Sequence, residues 1–155
     1  MQPDLMKRAI ALAIENVRTG RGGPFACLIV KNGRTIAQGA NLVTATNDPT
    51  AHAEIVAIRA ACRELNSFQL AGCDLYATCE PCPMCLGAIY WARPERIYFA
   101  ANADDAAGAG FDDAFIYAEL KKPPSARRIL MTQLLRDESL AIFAAWKEQG
   151  DRKLY

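Results

Sequence analysis

Leu75-Tyr76-Ala77-Thr78-Cys79-Glu80-Pro81-Cys82-Pro83-Met84-Cys85 is the stretch on which the reading of this chain turns. Leu75 to Thr78 has the length and composition of a buried strand. Pro83 to Ala92 follows as a predicted helix, since proline suits a first helical turn and Pro94 disfavours helix in the residue before it. Cys82 and Cys85, three residues apart at that helix start, share one face. Upstream, His52-Ala53-Glu54 opens a second predicted helix, Ala51 to about Leu65, with Asp48, Thr50 or both as its cap.

Outward from these segments the pattern is regular. Leu5, Ala9, Leu12, Ala13 and Val17 recur at helical spacing and predict an amphipathic helix over residues 4–18. Phe25 to Val30 and Thr35 to Ala40 flank Asn32-Gly33, the strongest short-range signal for a hairpin. Arg96 to Ala101 reads as a strand, Asp112 to Lys121 as a short helix, Arg128 to Met131 as a last strand and Gln133 to Gln149 as a last helix. Strands alternating with helices after an opening hairpin predict a mixed sheet of five strands between helical layers. At 155 residues, with no repeat or linker, the chain is expected to form one domain, residues 1–155.

The chemistry is carried by His52, Cys82 and Cys85. Two thiolates and one imidazole give zinc three protein ligands and leave a fourth position for water, the layout of a catalytic site. Helix N-termini favour negative charge and help keep both thiols ionised. Glu54, two residues from the sole histidine, lies near the metal yet is free to move protons. Each motif alone has a plainer reading: a structural histidine, or a redox pair of cysteines. Cys79 extends the run to C-x-x-C-x-x-C, but an iron–sulfur run continues with a cysteine four residues on, and that position is Ile89. A closed structural zinc site needs a fourth ligand, with Cys79 the nearest candidate, and leaves Glu54 unexplained. Cys27, Cys62 and Cys73 read as buried apolar residues.

Composition narrows the partners. Hydrophobic residues at 52% and charged residues at 23% describe a globular chain, not a disordered one. Eighteen basic residues are scattered among seventeen acidic ones, for a net charge of +1. That balance lacks the basic stripe of a nucleic-acid binder and points to a small, roughly neutral substrate. Apolar runs are far short of a membrane span. Six cysteines without a secretory signal fit a reducing compartment, so a cytoplasmic location is expected.

With Asp48 to Glu54 and Cys79 to Cys85 in view, the chain resembles the cytidine deaminase-like superfamily, whose signature is H-x-E…P-C-x-x-C. The longer likeness is to the bacterial guanine deaminases. It runs over Gly22-Gly23-Pro24-Phe25, Asn47 to Glu54, Cys79 to Pro94, Gly110 to Tyr117 and Leu154-Tyr155, essentially the whole chain. The zinc motif specifies the superfamily alone; Leu86 to Arg93, Phe111-Asp112-Asp113 and the tail carry the guanine likeness.

The resemblance implies a three-layer α/β/α sandwich on a central five-stranded mixed sheet, one zinc per chain, and guanine plus water giving xanthine plus ammonia. It implies that hydroxide held on zinc attacks C2, while Glu54 passes a proton to the ring nitrogen and then to the leaving amine. It assigns Asp113 to the departing amino group, Asn41 to a hydrogen bond with the ring, and Phe25, Trp91 and Tyr155 to enclosing it. It also implies a homodimer whose C-terminal segments are exchanged between subunits. Ala26-Cys27 departs from the family, which more often has glycine and a small apolar residue there.

Without the family, Asp112 and Asp113 read as a helix cap and first-turn acid, Phe25 and Trp91 as core, Asn41 as a turn residue and residues 151–155 as a frayed tail. Two rival functions stand beside the first: a tRNA adenosine deaminase, which shares the zinc elements, and a non-catalytic zinc-binding module.

Overall fold

The computed structural model describes residues 2–154. The elements in chain order are α1 (Pro3–Arg18), β1 (Ala26–Lys31), β2 (Arg34–Ala40), α2 (Val43–Thr46), α3 (Ala53–Glu64), β3 (Cys73–Cys79), α4 (Pro83–Ala92), β4 (Arg96–Ala101), α5 (Ala103–Gly108), α6 (Ala114–Leu120), a 3₁₀ turn (Pro124–Ala126) and α7 (Arg136–Glu148). They fall into two compact units, the first ending at Asp113 and the second beginning at Ala114.

The first unit is a layered α/β fold. Its sheet runs in the order β2-β1-β3-β4. β1 is antiparallel to both β2 and β3, while β3 and β4 are parallel, so the sheet is mixed as expected. The hairpin turns at Asn32-Gly33, and a bulge between Ile29 and Val30 shifts the β1–β2 register by one residue.

Side chains alternate across the sheet as the period of a strand requires. Cys27, Ile29, Cys73, Leu75 and Ala77 face a core completed by Ala53, Ala57, Ala61, Ile89 and Ala92 of α3 and α4. Leu28, Val30 and Tyr76 face the other way and meet Leu5 and Ala9 of α1. Each fully buried Leu or Ile here contributes about 1.5–3 kcal/mol of hydrophobic stabilisation. The buried stripe of α1 is Leu5, Ala9, Ala13 and Asn16. Val17, expected on that stripe, is instead 51% exposed.

The approach of α3 to the sheet is set at Gly39. A Cβ there would lie 2.3 Å from the Ala53 carbonyl oxygen and 2.6 Å from the Ala57 nitrogen. No side chain fits between, so the first turn of α3 lies backbone against backbone on β2. The alanines at 53, 57 and 61 complete this close packing.

Two expectations need correcting. The sheet has four strands, not five, because residues 128–131 form no ladder. The preceding Pro123-Pro124 opens a 3₁₀ turn, and the Arg128 N–H is taken by the Glu119 carboxylate at 2.6 Å. Ile129 stands 81% exposed. The second unit is otherwise helical, α6 and α7 both lying within the ranges expected for them. In the first unit residues 103–108, for which the sequence predicted no element, form the short helix α5, fixed by a capping box between Asn102 and Asp105.

Candidate active site

His52 arrives at the site on a tightened turn. The Asp48 carboxylate accepts hydrogen bonds from the Thr50 N–H at 2.8 Å and its hydroxyl at 2.7 Å. These bonds hold the Asp48 pKa below its ordinary value. Leu42 N–H donates to the Ala51 carbonyl at 2.9 Å and closes the loop. Asp48 and Thr50 therefore cap this turn and not the helix, as the sequence had suggested. His52 itself occupies the N-cap position of α3, with no side-chain capping bond, so its ring is free for other partners.

Cys82 holds the matching place on α4, at the N-cap, with Pro83 next and Cys85 in the first turn. The two helix starts face each other. Cys82 Sγ lies 3.6 Å and Cys85 Sγ 3.5 Å from His52 Nδ1. All three donor atoms lie within 4.8 Å of one another. Zinc–sulfur and zinc–nitrogen bonds of ~2.3 and ~2.1 Å at a tetrahedral angle require a sulfur–nitrogen separation of about 3.6 Å. The donor set and its spacing both fit zinc. Cys79, the candidate fourth ligand of a closed site, turns its Sγ to the Asn102 carbonyl at 3.5 Å. Among the described residues the cluster thus offers a metal three protein donors, the open arrangement of a catalytic centre.

The charges of the site follow from its geometry. The Cys82 pKa falls to about 4 because Cys85 and then His52 hydrogen-bond to its sulfur. Cys85 moves steeply the other way, since it donates to Cys82 and is buried. His52 is raised, chiefly by its bond to Cys82. Glu54, in the first turn of α3, is only 8% exposed. Burial and then the negative Cys82 push its pKa up, although a hydrogen bond with Cys85 works against this. A carboxyl held above its ordinary pKa beside a set of metal donors is suited to taking and giving protons.

The residues expected to contact the substrate are placed unevenly. Asn41 is buried at the end of β2. Its Oδ1 accepts from Val43 N–H at 3.2 Å. That contact orients the amide so that its NH₂ remains a donor for a ligand. Phe25 is half-buried and meets Phe111 edge to face at 4.9 Å between ring centres. Asp113 is half-buried too, its pKa raised by burial and then by the charge on Cys82. Asp113 precedes α6, which begins at Ala114, so it is not a first-turn acid. Trp91 lies elsewhere. It sits at the far end of α4, nine residues beyond Cys82, a rise of ~13 Å along the helix, and is 63% exposed. Tyr155 lies outside the described residues.

Sequence reasoning missed two residues that shape the site. Phe111 was quoted in the segment resembling guanine deaminases but given no part, and it packs on Phe25. Asn16 escaped notice although it continues the buried 5–9–13 stripe of α1. A polar residue on an apolar stripe was the available signal. Cys27 and Cys73 are buried as expected, and Cys62 only partly.

Comparison with known proteins bears on this geometry. Residues 1–101 match the family described as the cytidine and deoxycytidylate deaminase zinc-binding region. A guanine deaminase of Bacillus subtilis (strain 168) is 55% identical over 97% of this chain and 96% of that protein. The X-ray structure of the guanine deaminase from Bacillus subtilis superposes with a TM-score of 0.97, at 54% identity, over 100% of this chain and 99% of that one. A tRNA-specific adenosine deaminase of Aquifex aeolicus is 49% identical, but over 50% of this chain and 52% of that protein.

Proposed function

We propose that this chain, which belongs to the cytidine and deoxycytidylate deaminase zinc-binding family and within it to the guanine deaminases, hydrolyses guanine to xanthine and ammonia. It is a zinc-dependent deaminase. The observation that carries the reading is the meeting of His52, Cys82 and Cys85 at zinc spacing, with the buried Glu54 beside them.

His52, Cys82 and Cys85 hold the metal. When bound, zinc supplies Lewis acidity that lowers the pKa of a coordinated water to about 7. Glu54 takes the proton of the attacking water and delivers it to the ring nitrogen beside C2. The C2–oxygen bond forms, and Glu54 then takes the remaining proton from the new C2 hydroxyl and passes it to the amine as the C2–nitrogen bond breaks and the C2 carbonyl forms, releasing ammonia. Asp113 accepts a hydrogen bond from the departing amino group. Asn41 donates to an acceptor on the ring, and Phe25, braced by Phe111, covers one face.

Trp91 and Tyr155 complete the enclosure from a second subunit of a homodimer, the C-terminal segment being exchanged between copies in one shared deaminase fold. The position of Trp91 at the remote end of α4 supports this. So does the apolar surface left open in each unit: Ile14, Val17 and Phe99 in the first, Ile142 and Phe143 in the second. A cytoplasmic location agrees with six free cysteines, and no helix among the described residues is long and apolar enough to cross a membrane.

The test is direct. Purified protein incubated separately with guanine, adenine, cytosine and adenosine-bearing tRNA is expected to release ammonia from guanine and to leave tRNA unchanged. A net charge of +1 provides little counterion release for binding a polyanion at moderate salt. Inosine in tRNA with no xanthine from guanine would overturn the reading in favour of a tRNA adenosine deaminase.

The tail has its own test. Deleting residues 151–155 is expected to leave a folded, zinc-loaded protein whose kcat/KM for guanine falls about tenfold or more, because water then reaches the ring. A value within about threefold of the intact chain, roughly 0.65 kcal/mol in transition-state stabilisation, would reduce the segment to a solvated tail.

A further inference from the structure

Asn16 is fully buried at 0% exposure, deep on a helix whose other buried residues are Leu5, Ala9 and Ala13. Its Nδ2 donates to the Asn41 carbonyl at 2.8 Å and to the Gly23 carbonyl at 3.0 Å. Both partners are acceptors, so the amide orientation is fixed. Its Oδ1 is buried without a hydrogen-bond partner among the described residues. An apolar residue here would extend the stripe of α1 and remove that orphaned acceptor. It would also remove the Nδ2 bond from the Asn41 carbonyl and leave the Gly23 carbonyl with the Phe25 N–H alone.

The groups tied by Asn16 are those that flank the two ring-contacting residues. Gly23 stands two residues before Phe25, and Asn41 N–H donates to the Phe25 carbonyl at 3.0 Å. Gly22 passes so close that a Cβ would lie 2.1 Å from the Asn41 carbonyl oxygen and 3.3 Å from Asn16 Nδ2. The loop at 22–25, the end of β2 and the last turns of α1 therefore share one hydrogen-bonded knot. Neither zinc ligands nor Glu54 enter it.

We propose that Asn16 is a positioning residue for ring recognition: it fixes the aromatic face of Phe25 and the amide of Asn41 at one spacing matched to a planar purine. This rests on the assignment of Phe25 and Asn41 to the substrate. A carbonyl pair released from Asn16 lets the loop and strand end move independently, and the ring is then held less well before and during reaction alike. Loss of such uniform binding raises KM and spares kcat.

The experiment compares Asn16→Ala, Asn16→Ser and Asn41→Ala for zinc content, thermal midpoint, kcat and KM with guanine. Asn16→Ala is expected to keep one zinc per chain, raise KM about tenfold and hold kcat within twofold. Asn16→Ser, which retains one shorter donor, should give an intermediate KM, and carries the test by itself if the alanine variant does not fold. A KM within twofold of the parent in the Asn16 variants, with KM raised in Asn41→Ala, overturns the positioning role. Zinc, kcat and KM deteriorating together would also overturn it, since that is the signature of a residue serving stability alone. An unchanged KM in Asn41→Ala removes the underlying substrate assignment and the proposal with it.

Discussion

A Glu54→Gln enzyme is expected to retain one zinc per chain while its guanine turnover falls by ~10²–10⁴-fold, the range for loss of a general acid–base. That loss corresponds to about 2.7–5.4 kcal/mol of barrier at 1.36 kcal/mol per decade. Glutamine keeps the shape of the side chain and an oxygen that can still accept the hydrogen bond from Cys85, and position 54 supplies no ligand atom, so metal content should be unaffected. The sign of the stability change is also fixed. The folded chain raises the Glu54 pKa, chiefly by burial. A group raised in this way stabilises the fold below its unfolded pKa and loses that contribution as pH rises through the folded value. Above the folded value the ionised carboxylate is therefore a cost that glutamine removes, and the metal-free variant should there melt no lower than its parent. Calorimetry, elemental analysis and steady-state kinetics on one preparation decide the matter. Near-normal turnover in a folded, zinc-loaded variant would remove Glu54 from the mechanism.

Cys82→Ser should have the opposite profile in metal, with zinc falling below a tenth of an equivalent after dialysis and activity lost with it. Cys82 is the most acidic of the thiols, its pKa drawn down to about 4 by Cys85 and His52. Serine at that place is a neutral hydroxyl at neutral pH and a poor partner for a borderline-soft cation. The remaining pair, His52 and Cys85, leaves zinc two protein ligands where a stable site has three or four. Because Cys82 stands at the N-cap of α4 and serine is itself a favoured N-cap, the helix should survive. Full zinc in the purified variant would refute the ligand assignment.

The parts of the fold legible in the sequence are those where local chemistry and long-range packing agree. Pro83 and Pro94 bracket α4 so firmly that its expected bounds, Pro83 to Ala92, are the observed ones, with Arg93 in a left-handed conformation at the break. β4 likewise spans Arg96 to Ala101. The zinc cluster was legible because its spacing is a property of two helix starts, and both were marked. Residues 128–131 misled because three consecutive apolar side chains fit a strand only if a ladder partner exists, and partnership is not written locally. α5 was hidden by its length, six residues, though Asn102 and Asp105 spell its cap. Asn16 was invisible to a search for motifs, since its partners lie 7 and 25 residues away. Trp91 shows the limit of likeness by position: the resemblance assigns it to the ring, while its place at the end of α4 sets it remote from the cluster.

Gly39 bears on how a site of this kind changes over generations. Because the first turn of α3 rests backbone to backbone on β2, almost any mutation that shifted this helix would displace His52 and Glu54 together. Lineages of such enzymes have little room to drift there. The side chains of Phe25, Asn41 and the segment 111–113 hold no metal ligand and lie outside that backbone contact. A change of preferred ring can accordingly accumulate there without passing through an ancestor that had lost its zinc.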